Sequence, residues 1–182
     1  MMATQNLMIT PTNLNFGDQR TYEWLAQLAN EALCRSVTIN AEGLRFVSGD
    51  LAAVIGAVNQ RADDARMGVK WKKLPPAVDD SLRMTGVFGG AARQSSAGTM
   101  FPYSAYTEGD GNQFLNNLDS HLLENTHFPK GLATQDLQRL KASLGELFNN
   151  AHEHADCTHV HTCGQVFPNH QKLLFSVADL GN

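Results

Sequence analysis

A long amphipathic segment near the C-terminus places the strongest constraint on the fold. Between Thr134 and His154, apolar side chains recur at helical spacing and form one stripe: Leu137, Leu140, Leu144, Leu147, Phe148 and Ala151. Thr134 is a suitable N-cap, and Asp136 in the first turn favours the helix dipole. The pattern predicts a helix that docks its apolar stripe on a sheet.

The same segment carries polar residues opposite or beside that stripe. Glu146, Asn150 and His154 are spaced i, i+4, i+8, so they share one side of the predicted helix. The amide oxygen of Asn150 is the hard donor that Mg²⁺ prefers, and Glu146 is suited to orient or deprotonate a water. If this side faces a cleft, it has the chemistry of a phosphoryl-transfer site, whereas most such faces are simply solvated.

A predicted hairpin follows the helix. Strand 158–167 leads through Pro168-Asn169-His170 into strand 172–178, and Asp179-Leu180-Gly181-Asn182 comes next. Asp179 at the end of an apolar strand could accept a hydrogen bond from an exocyclic amine. Gly181 would allow a turn or a close approach to a ligand. Alone, this pattern is typical of an ordinary turn.

Taken together, these motifs resemble the GHKL ATPase fold of DNA gyrase, heat-shock protein 90, histidine kinases and MutL. Glu146-x-x-x-Asn150-Ala151 is similar to the N-box, His154-Ala155 to its anti-sigma-factor and kinase form, and Asp179-Leu180-Gly181-Asn182 to the first four positions of the Asp-x-Gly-x-Gly box.

The resemblance implies Mg·ATP as cofactor. Asn150 would hold Mg²⁺, Asp179 and Gly181 with His154 would belong to the nucleotide site, and Glu146 would be the catalytic base if ATP is hydrolysed. The complete domain would be an ATPase or a protein kinase. Later elements of the family pattern lie outside these 182 residues, so we expect weak or no ATP binding by this chain alone.

The N-terminal half alternates predicted helices and strands. Helices are expected over 21–33, from Asp50 onward and over 79–85, with strands over 36–39 and 68–74. This rhythm, with the run from Val37 to Leu51, resembles a STAS domain, the α/β module of anti-sigma-factor antagonists. We therefore predict an α/β or α+β protein: a STAS-like domain over 1–92, a linker or ordered loop over 93–112, and a partial GHKL-like domain over 113–182. Ser48 would be the candidate phosphosite.

Composition narrows the possible partners. The formal net charge is −4 and the pI is about 5.9. The chain therefore lacks the excess of positive charge that is typical of proteins that bind nucleic acid or an anionic membrane. No apolar run reaches the ~20 residues of a membrane span, and three cysteines favour reduced thiols in a cytoplasm. We expect a cytoplasmic bacterial regulatory protein with a protein partner, and self-association through an unpaired sheet edge.

Two other readings remain open. The STAS-like half could bind a partner while the ATPase-like half is a non-catalytic scaffold. A zinc-dependent structural protein is also conceivable, because six potential ligands crowd together: His152, His154, Cys157, His159, His161 and Cys163. The last four alternate along a predicted strand, however, and neighbours in such a row lie about 6–7 Å apart, too far to converge on one ion without a bend.

Overall fold

The computed structural model describes residues 6–89, 99–123, 133–155 and 157–181. Helices and strands are mixed throughout, which confirms the predicted α/β or α+β class. We refer to residues 6–89 as the N-terminal half and to residues 99–181 as the C-terminal half. The predicted linker segment 93–98 and the final residue, Asn182, lie outside the described residues.

The N-terminal half is built on parallel strands joined by helices. In chain order its elements are β1 (Asn6–Ile9), β2 (Asn13–Leu14), α1 (Gln19–Cys34), β3 (Val37–Asn40), β4 (Phe46–Val47), α2 (Ala52–Asp64), β5 (Val69–Lys72) and α3 (Pro76–Thr85). A three-stranded parallel sheet has the order β1-β3-β5, and a short parallel pair joins β2 to β4. Each parallel step uses a helix as its crossover, as such connections require.

Local sequence signals set the ends of these helices. Asp18 caps α1 by accepting a hydrogen bond from the backbone N–H of Arg20, and α3 begins with Pro76. Gly86 ends α3 in the left-handed conformation at a φ of 87°. Inside, Trp24, Trp71 and Phe88 form a chain of tilted ring contacts between α1 and the sheet. The helices expected here are therefore confirmed.

The C-terminal half is an antiparallel sheet covered by helices. Its elements are β6 (Met100–Tyr106), α4 (Gly111–Leu118), a π-helical turn (Asp119–Leu123), α5 (Thr134–Ala155), β7 (Val160–Phe167) and β8 (Lys172–Ala178). The strand order is β6-β7-β8, and the β7–β8 hairpin turns through Pro168–His170 as predicted. The predicted helix from Thr134 is also confirmed.

Four strands were not predicted from the sequence pattern. Residues 93–112 are predicted to be a linker or an ordered loop, and this is wrong for Met100–Tyr106, which form β6 and pair with β7. Pro102 lies at an irregular register between Phe101 and Ser104, where the strand tolerates a residue without an N–H. The short strands β1, β2 and β4 were also missed, because β1 forms only against β3, and β2 and β4 form only against each other.

The antiparallel sheet lies between the helices of its own half and the N-terminal half. One face packs against α4 and α5 through aromatic residues that include Phe101, Tyr106 and Phe175. The opposite face packs against α2 and the 3₁₀ turn Gly49–Leu51 of the N-terminal half. Buried residues of β7 thus belong to both cores, with Cys163 in one and Val160 in the other.

Across the described ranges, the structure contains no helix that is both long and apolar enough to span a bilayer.

Candidate functional site

The predicted site residues of α5 share one exposed face. Glu146, Asn150 and His154 are all exposed, each one helical turn after the last. The helix is held from its other side, where the ring of Phe148 stacks on Phe114 with centroids 4.3 Å apart. This packing fixes the rotation of α5 about its axis, so the three polar side chains remain turned away from the core.

One residue of the predicted apolar stripe lies on the wrong side. Leu147 is 54% exposed, whereas Leu144 is only 7% exposed and belongs to the core. At 100° per residue, Leu147 falls between the two sides of the helix, next to the face of Asn150 and His154. An exposed leucine beside these polar groups gives the candidate site an apolar surface.

The second part of the candidate site is the turn that follows β8. The backbone N–H of Gly181 donates a hydrogen bond to Oδ1 of Asp179 at 3.2 Å, and Gly181 has a φ of +39°. This turn chemistry is what Asp and Gly favour at a strand end. The Arg61 guanidinium on α2 donates to the Leu180 carbonyl oxygen and ties the turn to the N-terminal half.

The fold brings these two parts onto neighbouring elements. Strand β8 packs against α5, and Val177 lies in the same cluster as Phe148 and Ala151. Asp179 follows Val177 by two residues, at the end of the strand that supports the helix. The Asp179 turn therefore follows a strand that packs against α5, whereas Glu146, Asn150 and His154 lie on the face of α5 that is turned away from this contact.

The zinc reading requires a cluster of histidine and cysteine ligands, whereas the magnesium expectation rests on oxygen donors. Among the described residues, no three histidine, cysteine, aspartate or glutamate side chains form a group that could hold a metal ion. Mg²⁺ usually keeps several waters and takes few protein ligands together with phosphate oxygens. The side chain of Asn150 is exposed and carries an amide oxygen, a donor of the type that Mg²⁺ prefers.

The histidine and cysteine row on β7 forms part of the contact between the halves. His161 is buried, and its Nδ1 is hydrogen-bonded to the Tyr103 hydroxyl at 2.9 Å with the rings stacked. The Cys163 thiol donates to the carbonyl oxygens of Gly49 and Phe101, each at 3.2 Å. Sequence reasoning missed Tyr103, because its strand was not predicted.

Burial controls the ionisation of these groups. It lowers the pKa of His161 to about 4 and raises the pKa of Cys163 to about 12. It likewise raises the pKa of Tyr103 to about 12. All three side chains are therefore neutral near pH 7, as groups packed between two layers should be.

Ser48, the candidate phosphosite, is sequestered. Its side chain is buried at the end of β4, and its hydroxyl donates to Oδ1 of Asp50, which is also buried. A kinase would need to open the start of α2 to reach this hydroxyl. The arrangement is that of a structural serine at the beginning of a helical segment.

A cleft of about 530 Å³ lies beside the Asp179–Gly181 turn, between α2 and the antiparallel sheet. Its lining includes Arg61, Asp64, His159, His161 and Gly181. Because Arg61 and Asp64 lie in the polar part of a helix, the sequence carried no signal that would separate them from ordinary surface residues.

No protein-family description, curated protein or solved structure matches this chain.

Proposed function

We propose that this protein is a regulatory protein whose C-terminal half forms part of a GHKL-type ATPase site and binds Mg·ATP only weakly in this chain alone. The observation that carries the proposal is the placement of Glu146, Asn150 and His154 on one exposed face of α5, with Asp179 ending the strand that packs against that helix. The STAS-like N-terminal half would supply the contact with a partner protein.

Each residue has a distinct part in this proposal. The Asn150 amide oxygen would ligate Mg²⁺, and the Asp179 carboxylate would accept a hydrogen bond from the exocyclic amine of adenine. Oδ1 of Asp179 already accepts from Gly181, so Oδ2 is the oxygen assigned to the amine. The exposed Leu147 would offer apolar contact beside Asn150.

Glu146 would act on the reacting oxygen. Bound Mg·ATP supplies the phosphoryl group and a charge that stabilises it; Glu146, one turn before Asn150, would orient or deprotonate the attacking hydroxyl or water. Both hydrolysis and transfer to a protein use this role, so the site geometry supports either outcome. His154, one turn after Asn150, completes the polar face.

Thermal unfolding with and without nucleotide tests the proposal. With a Kd of about 1 mM, about 10 mM Mg·ATP stabilises the folded state by about 1.4 kcal/mol, which raises Tm by about 3–6 °C for a chain of this size. We expect this shift of Tm in the wild type and its loss in Asp179→Asn. The wild-type shift should require magnesium, and Asn150→Ala should reduce this dependence on magnesium.

Asp80→Asn, an exposed substitution on α3, is the matched control and should keep the full shift. Glu146→Ala should also keep it, because the acid is assigned to chemistry rather than binding. An unchanged Tm at millimolar Mg·ATP, or an equal shift in Asp179→Asn, would remove the nucleotide site and leave a protein-interaction module as the better reading.

A further inference from the structure

The sheet of the N-terminal half has one face on which the residues of both edge strands are exposed. Facing residues form two cross-strand rows: Leu7–Thr38–Lys70 and Ile9–Asn40–Lys72. We call these six residues the outer face. The alternate residues, Met8, Ile39 and Trp71, belong to the core beneath α1.

The aliphatic edge of the outer face is largely open. Leu7 is 59% exposed and Ile9 is 71% exposed, although both lie in a parallel sheet. Parallel sheets are usually covered by helices on both faces, because their crossover connections place helices there. Two exposed aliphatic side chains on one edge strand therefore indicate a surface suited to being covered by a further helix.

The opposite edge of the outer face is basic. Lys70 and Lys72 are exposed, and neither forms an ion pair with any residue of the described ranges. The next lysine, Lys73, differs because its ammonium group is paired with Glu42 at 2.7 Å. Two free ammonium groups in a row, beside an aliphatic edge, favour a partner that carries carboxylates beside an apolar stripe.

The dimensions of the outer face fit a helix. Residues two apart on a strand are about 6.6 Å apart, close to the ~6 Å that separates positions i and i+4 on a helix. The lysine edge lies two strands, or about 9–10 Å, from the aliphatic edge. The short side chains of Thr38 and Asn40 lie between these edges, and Thr38 is only 4% exposed, so a helix would rest on the longer side chains of the two edges.

We propose that the outer face binds an acidic amphipathic helix of a partner protein. Its apolar side chains at i and i+4 would contact Leu7 and Ile9, and carboxylates on one flank would pair with Lys70 and Lys72. This surface lies on β1, β3 and β5 and shares no residue with the nucleotide site, so the two proposals succeed or fail separately.

The test uses two designed helical peptides of about 18 residues, or five turns. Both repeat leucine at i and i+4; one carries glutamate along a flank and the other carries lysine at the same positions. Fluorescence anisotropy with the full chain should show at least about tenfold tighter binding of the acidic peptide, weakened by added salt. Lys70→Glu combined with Lys72→Glu should reverse this preference.

Lys172→Glu, an exposed reversal on β8, is the matched control and should leave the preference unchanged. Ile9→Ser should weaken binding of both peptides without lowering Tm, since Ile9 is exposed. Equal affinity for the two peptides, or an unchanged preference in the double lysine variant, would overturn the proposal. Sedimentation velocity that shows a wild-type dimer broken by Ile9→Ser would also overturn it, because a second copy would then occupy the face.

Discussion

At the scale of single residues, His161 and Cys163 alternate along the sequence and are buried in the structure between β7 and the N-terminal half. The spacing of Cys157, His159, His161 and Cys163 was compatible with a row on one side of a strand, which the structure shows for the two residues within β7. What the pattern could not reveal is that α2 and Tyr103 would cover this side. His161 and Cys163 are buried for that reason.

His161 should make the stability of the protein depend on pH. Its pKa in the folded state is lowered to about 4 by burial first and His159 second, with Asp64 acting in the opposite direction. In the unfolded chain its pKa is about 6.5. Between these values only the unfolded state gains the proton, so the free energy of unfolding decreases as the pH falls from about 6.5 towards about 4.

The expected loss from this residue is on the order of 2 kcal/mol at about pH 5, and it should be absent in His161→Gln. Urea unfolding of both proteins between about pH 7 and about pH 5 measures the difference. His170→Gln, at an exposed turn, should behave as the wild type. Parallel pH profiles for wild type and His161→Gln would contradict the assigned burial.

At the scale of elements, α5 shows what periodicity can and cannot determine. The repeat of apolar residues located the helix and its buried side, and its bounds agree with the structure to within one residue. It also placed Leu147 in the buried stripe, which is wrong, because a stripe of adjacent leucines does not reveal where the contact with the sheet ends. The described partners of α5 are β7, β8 and α4.

Two alanine substitutions on α5 should therefore differ sharply. Leu144→Ala removes a core side chain and should lower the free energy of unfolding by about 2–5 kcal/mol. Leu147→Ala, three residues later, should change it by less than about 0.5 kcal/mol. Chemical denaturation of both variants measures these changes in the free energy of unfolding. Comparable losses would mean that Leu147 is packed in the core and that the face with Glu146 and Asn150 is not the exposed side of α5.

At the scale of the whole molecule, the antiparallel sheet joins the two halves through Tyr103. Gly56 on α2 lies directly against this ring, and a Cβ built there would come within 2.1 Å of Tyr103 Cε2. This close approach lets the Tyr103 ring stack on His161. Gly56 of α2, Tyr103 of β6 and His161 of β7 therefore pack together.

Gly56→Ala should lower the free energy of unfolding by about 1–3 kcal/mol, because the added methyl group displaces the tyrosine ring. In a Tyr103→Ala background the same change should instead stabilise by up to about 1 kcal/mol, since alanine is the better helix former. A double-mutant cycle by urea unfolding measures this change of sign.

Gly145→Ala is the matched control for the cycle. Gly145 also lies within a helix, but its Cβ would meet only Leu115 Cδ2, at an ordinary 3.4 Å. We expect a gain of up to about 1 kcal/mol in either background. If Gly56→Ala gave the same gain in the wild type, the two halves would not be packed through Tyr103.

The sequence by itself determined the elements that local chemistry specifies. Amphipathic periodicity acts within a few residues, and so it located α1, α2, α3 and α5 together with the β7–β8 hairpin. Asp18 and Gly86 set helix ends in the same local way. The tertiary structure alone decided β1, β2, β4 and β6, whose backbone hydrogen bonds need partners far along the chain. It also decided the burial of His161, the exposure of Leu147 and the uncovered face of the N-terminal sheet, because each depends on which layer packs against which.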